Sequence, residues 1–219
     1  MKRYIKSAII NPLDEDLPTK VLIARTSGDT ELLRSLYEYA NNNPNRIFHI
    51  INESLLKNPN TPKDIIDVLI DDDFYARQYA CLDDASPDIL AEIERKHRRH
   101  KAIPSFLAQN PNTPNNILKK YFEVDVLRGY AAMNPGLSNE LMTELAHSSS
   151  AFLRGCVASN PSISPELLTE LSEDSDEEVR GDVAGNSNTP VEVLLRLTND
   201  SSSGVRVSAR ITLQEEHNL

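Results

Sequence analysis

The segment 171–194 joins an acidic connector, a Val179-Arg180 pair, a Val183-Ala184 pair and the turn Asn186-Ser-Asn-Thr-Pro190, and the chain repeats this order imperfectly along its length. With the first Asn of the turn as zero, the phase falls at Thr26, Asn58, Asp83, Asn110, Asn134, Asn160 and Asn186, at spacings of 32, 25, 27, 24, 26 and 26 residues. A unit this short cannot fold alone. It offers about five apolar side chains worth roughly 2 kcal/mol each, against about 1–2 kcal/mol of backbone entropy for every residue ordered. Units must therefore stack, each covering its neighbour's apolar edge.

The phase also sorts the residues inside each unit. Seven places after zero stand Leu33, Ile65, Leu90, Ile117, Leu141, Leu167 and Val193; two places before it stand Ala24, Leu56, Cys81, Ala108, Ala132, Ala158 and Ala184. Both are core positions by period. Each unit reads as two short helices. The first opens after the turn, where proline suits the first helical position because its missing N–H would be unpaired there. Asp64, Asp88, Glu140, Glu166 and Glu192 then put negative charge against the positive end of the helix dipole. The second helix carries Val-Arg-x-x-Val-Ala, and Asn-Pro stops it, since the residue before proline is pushed out of the α region. No run alternates with period two for long enough to argue for strands, so the class is all-α, a solenoid of about seven repeats.

These residues, the Asn-Pro-Asn-Thr-Pro turn followed by Leu-Leu, an acidic turn and Val-Arg-x-x-Val-Ala, resemble the variant leucine-rich repeat, a relative of HEAT repeats. The resemblance covers nearly the whole chain and is clearest over 110–210. It implies a right-handed α-α superhelix of α- and 3₁₀- or short α-helices, used as a binding scaffold. One founding type carries a cysteine-rich iron–sulfur segment before its repeats, and nothing like it stands here. HEAT-like repeats also lace neighbouring units with Asp and Arg. The resemblance thus implies a structural ladder for Arg77, Arg128, Arg154, Arg180 and Arg206, preceded at six residues by Asp71, Asp174 and Asp200 in three of the five units, with Asp14 and Lys20 in the same relation. Phe122 and Ser148 occupy the Asp place before Arg128 and Arg154, so those guanidiniums are expected to need other acceptors or to face solvent.

Boundaries follow from the repeat. Residues 1–25 read as an amino-terminal capping half-repeat, 26–213 as the solenoid and 214–219 as a frayed tail. The 32-residue interval holds Asn41-Asn-Asn-Pro-Asn45, where an inserted loop is expected. Arg210 falls on a core position, which suits only a last unit with a polar outer face.

Charge excludes some functions. The net charge is −10; residues 1–110 hold 15 basic and 17 acidic side chains, and 111–219 hold 8 and 16. A general nucleic-acid binder would invert that balance. The basic start of the chain leads into too short an apolar run for a signal peptide, and no stretch nears the roughly 18 apolar residues of a membrane helix; a cytoplasmic protein is expected. Cys81 and Cys156 sit about three repeats apart at or near core positions and are expected to be buried thiols without a disulfide. The histidines are scattered, so neither a metal site nor another cofactor is expected.

Two stretches stand out as contact candidates. Arg95, Lys96, His97, Arg98, Arg99, His100 and Lys101 form a basic block in an acidic chain, readable as a solvated helix end or as an anion or acidic-protein contact, with Arg95, Lys96, Arg98, Arg99 and Lys101 its fixed charges. Gly129, Gly155 and Gly181 follow the repeat arginine in successive units, inside a helix where Gly costs roughly 0.5–1 kcal/mol relative to Ala. They imply either close helix packing or a shallow groove. One place on, Tyr79, Tyr130, Cys156, Asp182 and Ser208 should line one ridge.

The leading expectation is a non-catalytic scaffold that binds an unidentified protein partner through a concave face of second helices, with Tyr79, Tyr130, Asp182 and the basic block as contacts. No acid–base pair, activated nucleophile or phosphate-cradling loop is recognisable, so no enzyme activity is expected. Two alternatives remain. Some HEAT-like solenoids resemble alkylated-DNA glycosylases, but that groove should be basic and aromatic-rich, and this chain has no Trp. An acidic inhibitor or immunity-type protein, binding a basic partner site through Glu173–Asp182, is the other.

Overall fold

The computed structural model describes Leu13, residues 15–43 and residues 46–217, and among these all regular structure is helical. No helix of the described residues is long and apolar enough to cross a membrane. The helices fall into two compact units, one up to Leu82 and one from Asp83. The first holds α1 (Leu17–Thr26), α2 (Thr30–Asn42), α3 (Arg46–Leu56), α4 (Lys63–Leu69) and α5 (Asp73–Ala80). The second holds α6 (Pro87–His97), α7 (Ile103–Gln109), α8 (Asn115–Tyr121), α9 (Arg128–Ala132), α10 (Asn139–Ala146), α11 (Ala151–Ala158), α12 (Pro165–Leu171), α13 (Glu177–Gly185), α14 (Val191–Leu197) and α15 (Ser203–His217). The chain is an all-α helical-repeat solenoid, two helices to the repeat.

The repeat around Asn160 shows how the pattern makes a core. Leu153, Val157 and Ala158 on α11 and Leu167, Leu168 and Leu171 on α12 are all buried. These are helical spacings, so each short helix turns one apolar stripe inward. In the second unit α13 packs against both α11 and α15, so each second helix is covered by the next, as stacking requires.

The same burial pattern corrects the phase of one repeat. Tyr79, Ala80, Ala85, Ile89, Leu90 and Ile93 are buried there, whereas Cys81 is exposed. Zero therefore falls at Leu82, one place before Asp83. Tyr79 moves from the ridge into the core at 8% exposure, and Arg77 moves out of the arginine phase onto the surface. The expectation of a buried Cys81 thiol fails for the same reason. Leu82 lacks the polar side chain that marks zero elsewhere, and the neighbouring Asp83 imitates it.

Asn41 and Asn42, expected in an inserted loop, are helical. The long interval contains the 13-residue α2, running through Asn42, and the 11-residue α3; Pro44 and Asn45 lie outside the described residues. At the other end α15 runs 15 residues and reaches into the segment expected to fray, as far as His217; residues 218 and 219 lie outside the described residues. Arg210 is exposed there. Proline stands at the first helical position in α6 and α12. In the Asn-Thr-Pro turns it stands one place earlier, and Pro62, Pro114 and Pro190 are themselves the extended N-caps of α4, α8 and α14.

Two ladders stitch successive repeats. The first is built by the zero asparagines, read from sequence only as turn residues. Asn134 donates its Nδ2 to the carbonyls of Ala108 and Asn110, Asn160 to those of Ala132 and Asn134, and Asn186 to those of Ala158 and Asn160, at 2.7–3.1 Å. Asn58 does the same toward Ala24 and Ser27 in the first unit. Each of these Oδ1 atoms accepts the N–H two residues on, holding the turn. One amide thus satisfies the orphan carbonyls at the end of the preceding second helix. In the last repeat Thr212 takes the place, its hydroxyl donating to Ala184 O at 2.7 Å.

The second ladder is the Arg–Asp lacing, and its partner choice differs from the six-residue spacing. Arg154 grips Asp174 with Nε and Nη2 at 2.6 and 2.8 Å, and Arg180 grips Asp200 at 2.7 and 3.0 Å; each acceptor lies 20 residues on, in the next repeat. The third nitrogen, Nη1, donates back to the carbonyl six places before: Ser148 O, Asp174 O and, from Arg206, Asp200 O. So Arg154, expected to need an acceptor other than an Asp six places before it or to face solvent, finds that acceptor in the next repeat. The gap falls on Arg128 instead: it forms an ion pair with Asp125 on its own connector, and its buried Nε finds no partner. Lys20 fills the equivalent place in α1, donating to Glu15 O and lying over the Tyr39 ring at 4.9 Å. Asp14, its expected partner, lies outside the described residues.

Candidate functional site

The second helices of the second unit present a common ridge: the positions eight, five, four and one before zero. On α9 and its lead-in these are Val126, Gly129, Tyr130 and Met133; on α11, Phe152, Gly155, Cys156 and Ser159; on α13, Glu178, Gly181, Asp182 and Gly185; on α15, Gly204, Val207, Ser208 and Ile211. Helical spacing puts each set on one side of its helix, opposite the core, and most of these positions reach solvent, although Gly155 and Cys156 are covered by the neighbouring helices. Val126 is 76% exposed, Phe152 60%, Tyr130 49% and Met133 45%. Four large apolar side chains on adjacent short helices form a patch where the fold does not need one.

Each glycine answers the packing question differently. A Cβ on Gly155 would lie 2.5 Å from the Asp182 Oδ2, so its absence lets the α13 carboxylate settle onto α11. At Gly129 the added carbon would meet the tip of the Phe152 ring at 3.0 Å and Cys156 Sγ at 3.8 Å, a softer contact. Nothing lies within 4 Å of that point on Gly181. Close packing explains the first, and the third opens onto a depression of about 430 Å³ lined by Ser159, Pro161, Gly181, Asp182, Gly185 and Ser208 among others.

Asp182 is half-buried in that wall. Burial raises its carboxyl above the usual range, opposed by a hydrogen bond from the Ser159 side chain and aided by the Glu178 charge. Burial, then the Asp182 charge, pushes the Cys156 thiol up to about 11, so it is protonated at neutral pH and packs as a small apolar group.

The basic block resolves into parts. Arg95 and Lys96 end α6, where the dipole favours cations, and both reach Glu92, at 2.6 and 3.7 Å. His97 is buried, and His100 Nδ1 accepts the N–H groups of Ala102 and Ile103 at the start of α7. Arg98, Arg99 and Lys101 are exposed on the connector. Of the residues expected on the ridge, Tyr130, Asp182, Cys156 and Ser208 share it, Tyr79 is core, and the basic block lies on a different element. Phe152, Val126 and Met133 are additions. Their signal was present in the phase, eight places and one place before zero, but an isolated apolar residue in a connector or at a helix end reads as ordinary core edge.

No family model matches the chain, and no curated protein does either. Among solved structures, it is similar to one described as a leucine-rich repeat variant with a novel repetitive protein structural motif. The identity is 18% over 91% of this chain and 78% of that one, with a TM-score of 0.48.

Proposed function

We propose that this protein is a non-catalytic, protein-binding scaffold of the variant leucine-rich repeat kind, and that the second-helix ridge of its second unit is the docking face. The observation that carries the reading is the exposed strip of Val126, Tyr130, Met133 and Phe152. Burying apolar surface of this kind returns roughly 25 cal/mol per Å², and aromatic side chains in such patches commonly anchor interfaces. The non-catalytic part of the reading is supported by the state of the ridge's two ionisable groups nearest one another. The Cys156 thiol is held protonated, and Asp182 is engaged by Ser159. The test is affinity capture with three proteins: wild type, a Tyr130→Ser/Phe152→Ser ridge variant, and an Arg98→Ser/Arg99→Ser/Lys101→Ser connector variant. The ridge variant is expected to lose a partner that the connector variant keeps; the reverse result refutes the reading.

A further inference from the structure

The ridge carries its only charges on one helix. Over α9 and α11 it is mainly apolar, over α13 it carries Glu178 and Asp182, over α15 it is apolar again at the exposed Val207 and Ile211, and none of its sixteen positions from Val126 to Ile211 is a cation. The first three stretches are one surface: Phe152 lies against Gly129 on α9, and the Asp182 carboxylate lies against Gly155 on α11. Beside that carboxylate the open depression is lined by Gly181 and Gly185, which bring no side chain to it, and by the hydroxyl-bearing Ser159 and Ser208.

We infer that the occupant of this face is an extended, basic segment of a partner protein, with an Arg or Lys side chain seated in the Gly181–Asp182–Gly185 depression and apolar side chains on Phe152 and Tyr130. This rests on the reading above that the ridge is the docking face. The carboxylate is the group that recognises the cation, through a charge-assisted hydrogen bond. The glycines leave room for the aliphatic stem, and no ridge cation competes for Asp182. A carboxylate that burial has already partly stripped of water gains more from a cation than a fully solvated one does, and its raised proton affinity reports that desolvation. An acidic segment would meet two carboxylates and no counter-charge, which selects against it. Spacing follows from the stack. Adjacent helix axes lie about 8–10 Å apart and an extended chain advances roughly 3.3 Å per residue, so the cation should stand about three residues from the apolar residue on Phe152.

The test is selection of a phage-displayed random peptide library on the full-length immobilised chain, followed by titration of synthetic peptides. The expected sequences carry an Arg or Lys about three residues from an aromatic or large aliphatic residue, by the same spacing. Asp182→Asn keeps the shape, and it should weaken the selected peptide by about 10- to 100-fold, as should replacing the peptide's own cation with Gln. The two changes together should cost little more than either alone. Selected peptides without a cation, or equal affinity for Asp182→Asn and wild type, overturn the cation subsite. The ridge itself then still stands if Tyr130→Ser and Phe152→Ser abolish binding. No enrichment over a blank surface, or binding indifferent to those two changes, overturns both. The substitution in the peptide decides the matter even if a protein variant fails to fold.

Discussion

Replacing Asn160 by Ala tests whether the asparagine ladder holds the stack. The side chain is fully buried and makes three hydrogen bonds: Nδ2 to Ala132 O and to Asn134 O, each 2.9 Å, and Oδ1 from the Ser162 N–H at 2.8 Å. These losses are unequal. Asn134 O keeps the Leu137 N–H at 3.0 Å, and the Ser162 N–H is partly open to water. Ala132 O is the last carbonyl of α9 and becomes a buried orphan. An orphaned buried polar group costs about 1–3 kcal/mol and each ordinary hydrogen bond about 1, giving a loss of about 3–5 kcal/mol. Asn160→Asp keeps the turn but points an acceptor at two carbonyls, and should be at least as damaging. The control is Asn188→Ala, which removes an exposed bond to Pro161 O and should cost under about 1 kcal/mol. Urea unfolding followed by far-ultraviolet circular dichroism reads the difference. In a repeat protein the damage takes the form of a lowered midpoint or a transition split at the α9–α11 junction. If the Asn160→Ala curve superimposes on that of Asn188→Ala, the ladder is ornamental and the reasoning is wrong.

Three further outcomes can be checked. The Arg180 fork lowers the Asp200 carboxyl from its ordinary 3.8 to about 2, so its contribution is complete above the unfolded value and is lost as pH falls through the folded one. That linked part is on the order of 2 kcal/mol, and the stability gap between wild type and Asp200→Asn should narrow between those two pH values; a gap that persists to the lower one contradicts the pairing. Gly155→Ala should destabilise, because its Cβ would meet the Asp182 carboxylate at 2.5 Å, whereas Gly181→Ala, with open space, should stabilise its helix by about 0.5–1 kcal/mol; equal effects in thermal melts would refute the packing distinction. Asp182 has the opposite sign to Asp200. With its folded-state proton affinity raised by burial, its ionisation opposes folding, so Asp182→Asn should match wild type in acid and become the more stable protein as pH rises past the carboxylate range. A pH-independent difference in unfolding midpoint would sink that assignment.

Much of the fold was legible because its information is local. A period near 26 residues, apolar residues at helical spacing within it, acidic first turns and Asn-Pro stops dictate two short helices to a unit, and a unit too small to fold alone dictates stacking. The burial of Ala108, Ala132, Ala158 and Ala184 follows from their place in that period. Part of the ridge was legible too, since Tyr130 and Asp182 share a phase. The exceptions arose where one residue imitated another's phase: Asp83 stood in for the zero asparagine, and the slip carried Tyr79 onto the surface and Arg77 into the ladder.

What tertiary structure decided is which repeat each group reaches. Arg154 looks from sequence like an arginine without an aspartate, yet it holds Asp174, because the offset between stacked units brings the following connector to its guanidinium. Asn160 looks like a turn residue, and it is one, but its amide is spent on the repeat before it. Gly155 and Gly181 are equivalent in the period and differ in what the next helix puts above them, a carboxylate in one case and open space in the other. Periodicity specifies the inside of a repeat. The partners across a junction depend on the rotation and shift between neighbouring repeats, which come from how their apolar stripes interlock, and no single repeat encodes them.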